Sequence, residues 1–160
     1  MSTVKKYFNF RTTLSVISSI LSIIAFNLVF AKHLEVESIS ESILGQTVVF
    51  GDGNYSLSVF GLLGYILLLL LAISLFIYPI LMKRVDKKLR FIIGIVLASV
   101  AILAALFILL EGVGFKMANS LVIGDAASVS LKAAPIMSMV FALLAGAGAL
   151  LTSLLKRDSD

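Results

Sequence analysis

The chain has 160 residues, of which 60% are hydrophobic and 14% charged, with a formal net charge of +4 and no cysteine. So apolar a composition lies well outside the range of soluble domains, and the length allows one domain at most. The lack of cysteine excludes disulfides, thiolate nucleophiles and iron–sulfur ligation.

Residues 1–11 place Lys5, Lys6 and Arg11 around Tyr7, Phe8 and Phe10, a basic and aromatic flank suited to lipid headgroups. The apolar run 14–31 is read as the first span. Val29-Phe30-Ala31 resembles a small-residue cleavage site, but the run is long for a signal peptide and is taken as retained. On a helix, Ser15, Ser18, Ser19 and Ser22 share a stripe with Ala25, and such a stripe lets a neighbouring helix approach closely. Asn27, near the end of the run, needs a packing hydrogen bond.

The first loop spans 32–60. Ser38 and Glu41 have capping-box spacing, with Ile43, Leu44 and Gly45 after them, which predicts a short helix. Residues 47–50 and 55–59 are β-branched or aromatic runs around Gly51-Asp52-Gly53-Asn54, a hairpin signal. The second span, 61–82, is leucine-rich and carries Pro79 in its last turn.

The stretch 83–90 holds Lys83, Arg84, Lys87, Lys88 and Arg90, and short basic loops stay on the cytoplasmic side during insertion. Beyond it lies the third span, 91–110, with Gly94, Ala98, Ala101 and Ala105 forming a small-residue stripe. Glu111 closes this span and reads as an acid reaching out to the interface. The second loop, 111–134, contains Leu121-Val122-Ile123-Gly124-Asp125 and then the alternating run 129–131. Pro135 suits the first turn of the fourth span, 135–155, in which Ser138, Ala142 and Gly146 recur every four residues.

These features predict an all-α membrane protein, a bundle of four transmembrane helices with small extracytoplasmic β-hairpin elements. Ten basic residues would lie inside and only Lys32, Lys116 and Lys132 outside, which places both termini in the cytoplasm and the protein in the plasma (cytoplasmic) membrane. The segments 48–52 and 121–125 share one pattern, and Lys83-Arg84 and Lys156-Arg157 repeat it at the same offset of 73. The echo suggests two tandem helix-hairpin-helix repeats, with coincidence as the alternative.

No acidic or basic side chain falls within the interior of a predicted span, and no phosphate loop or nucleophile elbow is present. No enzymatic chemistry, cofactor or nucleic-acid partner is therefore expected. His33, Glu35 and Glu37 would share one face of an extended strand, a pattern open to a divalent metal or, as the plainer reading, to a solvated acidic loop. The plainer reading assigns no metal site.

The expected function is a non-enzymatic tetraspan whose outer β-rich loops mediate assembly or partner binding, as a homo-oligomer or within a larger membrane complex. Val49, Phe50, Tyr55, Leu57, Val122 and Ile123 are the candidate partner-facing residues, because apolar loop residues must be covered by something. An accessory subunit of a transporter or channel, docked through the stripes of the third and fourth spans, is one alternative. A small pore or solute transporter is another. The topology is similar to that of claudin-type tetraspans, with inner termini and a larger first outer loop. Their tryptophan and paired-cysteine signature is absent, so no residue roles are carried over.

Overall fold

The computed structural model describes residues 10–155 and is mostly helical. Lys5, Lys6, Lys156 and Arg157, on which the orientation reading partly rests, lie outside these residues. Four helices are long and apolar enough to cross a membrane: α1 (Phe10–Asn27), α3 (Val59–Leu81), α4 (Lys87–Leu109) and α6 (Ala133–Leu154). A short helix α2 (Gly45–Phe50) precedes α3, and α5 (Glu111–Ile123) continues from α4 through Leu110. Strands β1 (Lys32–Val36), β2 (Glu41–Leu44) and β3 (Val129–Leu131) lie in two of the connections between these helices.

The four spans agree with those read from sequence, with shifted ends. α4 starts at Lys87 rather than residue 91 because Asp86 caps it, accepting the Leu89 N–H at 2.9 Å. α1 is helical from the first described residue, Phe10, and Arg11 helps to hold this end. Its Nε and Nη2 donate to the Thr152 and Leu155 carbonyls at 2.9 and 2.7 Å, at the C-terminal end of α6, where carbonyls otherwise lack partners.

The spans form a ring in which α1 touches α3 and α6, and α4 touches the same two. Its polarity is that of a bundle built for lipid. Leu69, Leu70, Ile73, Phe76 and Ile80 of α3 face outward, while Ser15, Ser18, Ser19 and Ser22 of α1 are buried. Apolar surface gains nothing by hiding from hydrocarbon, so close packing and interhelical hydrogen bonds must hold such helices together. Both are present. Ser15, Ser19 and Ser22 donate to the carbonyls of Leu75, Ala72 and Leu68 on α3 at 2.7 to 2.8 Å, a ladder down the antiparallel pair.

Between α4 and α6 the two small-residue stripes meet each other. A Cβ on Gly146 would lie 2.6 Å from that of Ala101 and 3.5 Å from the Ala98 backbone, and one on Gly94 would strike Ser153. Ala101, Ala105, Ala142 and Gly146 are buried here, with Ala98 partly so, while Ser138 is buried with its hydroxyl donating to the Ala25 carbonyl of α1. The stripes are occupied within the chain.

The sheet has the order β2-β1-β3 and is antiparallel throughout, so strands from both loops join in one sheet. Leu34, Val36 and Ile43 pack beneath it on Val48, Phe115, Ile123 and Ala127. Here the sequence reading needs correcting. The helix expected over 38–45 is instead a tight turn over Glu37–Ile39 followed by β2, with Ser40 in the left-handed region at φ 51°. Pairing with β1 satisfies this backbone better than an isolated helical turn could. The hairpin expected at 47–59 is absent: residues 45–50 are helical, and β1 and β2 make the hairpin instead.

Helix α2 begins at Gly45, where a Cβ would strike His33 and the Val29 carbonyl, and ends at Gly51 with φ 74°. The corresponding Gly124, φ 87°, ends α5, so the echo survives as a shared way of stopping a helix. The strands break the symmetry, since β1 and β2 precede α2 whereas β3 follows α5. The order of strands and helices therefore does not repeat between the two halves.

Two expectations follow. Gly146→Val should lower stability in reversible detergent unfolding by about 1–3 kcal/mol, the usual cost of overpacking, while Ser99→Ala on the exposed side of α4 should change little. The second concerns Asp52, whose carboxyl is held below the usual aspartate range by the backbone N–H groups of Asn54 and Tyr55. A value lowered by folding means that this stabilisation is present above the ordinary aspartate range and lost as pH falls through the lowered value. Amide protection at Asn54 and Tyr55 should fall in that acid window, and Asp52→Ala should remove the pH dependence, both read by hydrogen exchange.

Candidate functional site

The most unusual chemistry lies where the sheet meets the bundle. Strand β1 changes register between Lys32 and Leu34, and this bulge turns His33 and Leu34 both inward, against the alternation of a regular strand. His33 thereby points down among the helix ends, fully buried, while Glu35 stays exposed and pairs with Lys132 at 2.9 Å. The face on which His33, Glu35 and Glu37 were expected together does not exist. Gly45 makes room for the ring, because any side chain there would collide with it.

The partner of His33 comes from 78 positions along the chain: Nδ1 lies 2.8 Å from Oε1 of Glu111. Glu111 does not reach toward solvent as its position at a span end suggested; it has no exposed surface. Its place is set by the first turn of α5 and by Ser58, the N-cap of α3, which donates to the Glu111 carbonyl at 2.9 Å. The absence of a side chain on Gly61 leaves space beside the carboxylate, since a Cβ there would sit 3.6 Å from Oε2. Oε2 itself has no hydrogen-bond partner.

From His33 the polar contacts run inward. Nε2 lies 2.9 Å from the Leu28 carbonyl and 3.2 Å from the Tyr65 hydroxyl. Tyr65 donates to Ser138 at 3.1 Å, and Ser138 donates to the Ala25 carbonyl at 2.9 Å. Thus α1, β1, α3, α5 and α6 are tied by one buried chain of polar groups. In a low-dielectric interior such a chain is strong when satisfied and costly when broken. Ser138 was picked out from sequence only as a packing residue; His33, Glu111 and Tyr65 were not brought together at all. Their one sequence signal was weak, a single histidine and an acid at the end of an otherwise uncharged span.

The partner-facing residues divide. Val49 and Ile123 are buried and belong to the core of the sheet-end module, which corrects their expected role. Tyr55 and Leu57 are half-buried, with Tyr55 donating to Glu41 at 3.0 Å. Asn119 fastens this segment to α5 by accepting the Ser56 N–H and donating to the Ser56 carbonyl, at 2.6 and 2.8 Å. Phe50 and Val122 remain exposed. α5 presents Val113 and Met117, both exposed and four apart on one face, and beyond a break in the helix at Asn119 (φ −120°, ψ 17°) Leu121 is exposed beside Val122. The adjacent groove against β3 has Lys116 and Asp125 in its lining, and among the described residues neither has an ionic partner.

At the opposite, basic end, Arg90 is buried with Nε and Nη1 lacking hydrogen-bond partners, while the Tyr78 hydroxyl donates to the Arg90 carbonyl at 3.0 Å.

Removing the imidazole should leave Glu111 buried without its partner. His33→Ala is therefore expected to cost about 3–5 kcal/mol in detergent unfolding, whereas Glu37→Ala, at an exposed position, should fall within about 0.5 kcal/mol of the parent. Comparison with protein-family models, curated proteins and solved structures finds no match to this chain.

Proposed function

We propose that this is a non-enzymatic multi-pass membrane protein whose sheet-end module mediates assembly with further copies of the same chain. The observation that carries the reading is the apolar face of α5. At about 1.5 Å per residue, the 23 residues of α4 already cover roughly 34 Å, against a hydrocarbon thickness of about 30 Å. α5 therefore extends past the span with Val113, Met117 and Leu121 uncovered. A contiguous apolar face outside the hydrocarbon calls for a cover.

Charge favours a second copy as that cover. Lys116 and Asp125 border the same groove, are opposite in sign and have no ionic partner among the described residues, so contact between copies can pair them. The short basic turn between α3 and α4 favours the cytoplasmic side, which puts the sheet end outside the cell membrane. Docking through the small-residue stripes, the route open to an accessory subunit, has no support from the packing, since those stripes pack on each other.

The lack of native cysteine makes the test direct. Met117→Cys, as the one thiol in the chain, should form a covalent dimer in native membranes on mild oxidation, whereas Ile92→Cys on the exposed side of α4 should not. Lys116→Asp should weaken the crosslink and Asp125→Lys in the same chain should restore it. A monomer by native mass spectrometry, together with no crosslink at Met117→Cys, overturns the reading.

A further inference from the structure

The assembly surface makes no use of the buried polar chain, whose protonation follows from its acceptors. The Leu28 carbonyl only accepts, so Nε2 of His33, 2.9 Å away, carries a hydrogen. The Tyr65 oxygen at 3.2 Å is then a second acceptor for that N–H. Its own hydrogen goes to Ser138, whose hydrogen goes to the Ala25 carbonyl. With Nε2 committed, the 2.8 Å contact between Nδ1 and Oε1 holds one hydrogen. The pair is either imidazolium with carboxylate or imidazole with carboxylic acid, and both have zero net charge. Every donor is used, and Oε2 of Glu111 is the acceptor left over.

We propose that the His33–Glu111 pair is a proton-binding site that holds one shared proton, takes a second from solvent on Oε2, and with that second proton releases β1 from the bundle. The first proton makes the buried pair neutral. The second gives it a net charge of +1 and an O–H with no acceptor, in a place where no anion faces it. From α3 the facing titratable group is Tyr65. The end of α1 contributes the Leu28 and Ala25 carbonyls, α6 contributes Ser138, and α2 contributes Gly45. On β1, Lys32 and Glu35 are exposed, and Lys132 after β3 pairs with Glu35; Lys116 on α5 lines the outer groove. An unpaired buried charge is costly, so the doubly protonated pair favours a state in which water reaches it. Tighter proton binding by the open state and opening driven by protons are the same coupling seen from two sides.

His33 is the only histidine in the chain, so selective ¹⁵N-histidine labelling gives one unambiguous signal set. In monomeric lipid nanodiscs at neutral pH, Nε2 should be protonated and Nδ1 hydrogen-bonded to Glu111. Below the ordinary glutamate value of about 4.3, where the opened pair holds two protons and the closed pair one, the opening of β1, read by hydrogen-exchange protection of the Leu34 and Glu35 amides, should rise about tenfold per pH unit. Glu111→Gln keeps a side-chain N–H for Nδ1 but has no carboxylate to share the first proton with the ring, so it should remain folded and begin its acid-driven opening at a higher pH than the parent, where the freed imidazole takes up that proton. A neutral ring protonated on Nδ1 with a bare Nε2, or a Glu111→Gln protein that opens with the parent's pH dependence, overturns the proposal. Should that variant fail to fold, the parent's tautomer and the slope of its opening decide the matter. Use of monomeric discs separates this outcome from any failure of assembly.

Discussion

A charged or polar group inside this molecule has to find its partner within the chain, and the contact between His33 and Glu111 is where that constraint acts most strongly. The sheet could rest on the bundle through apolar contacts alone, as Leu34 and Val36 do against Phe115 and Ile123. Apolar contacts are tolerant of sliding. A buried hydrogen-bonded pair is not, because any shift that separates Nδ1 from Oε1 strands two polar groups without solvent. The bulge in β1, the bare α-carbon of Gly45 and the cap of α3 at Ser58 all take their places around that contact. One interaction thus fixes how the β module sits on four helices.

The rest of the bundle follows a different logic. Its helices are held by close approach and by hydroxyl-to-carbonyl bonds, not by exclusion of oil from water. Gly146 against Ala101 and the serine ladder of α1 against α3 are the two forms this takes. Each contact is small, and each depends on side chains short enough to let backbones meet. Such an interior has few polar groups to lend to chemistry. The polar chain through Tyr65 and Ser138 is an exception, and it starts from the one place where the helices give way to the sheet.

This division also separates two kinds of exposed surface. Apolar residues along α3 and α4 lie at the level of the spans and have lipid as their natural surroundings. Those on α5 lie beyond Glu111, and the proposed assembly is what would cover them there. In the proposed reading, a change of solvent along α4 and α5 is what would turn exposed apolar residues into an assembly surface.

The four spans, the basic turn and the small-residue stripes were legible in the sequence, because length, hydropathy and fourfold spacing are local properties that lipid imposes on any helix crossing it. The β elements were only half legible: 129–131 is a strand, but 47–50 is helical, in a helix whose first residue, Gly45, lies against His33 from another part of the fold. The pairing of His33 with Glu111 was not legible at all. Alternation along an extended strand put His33 beside Glu35, and a single bulge, meaningful only once three strands are in register, turned it toward a carboxylate 78 residues away. Local periodicity decides what crosses the membrane; which buried groups meet is decided by tertiary packing, since hydrogen-bond partners are chosen by distance in space.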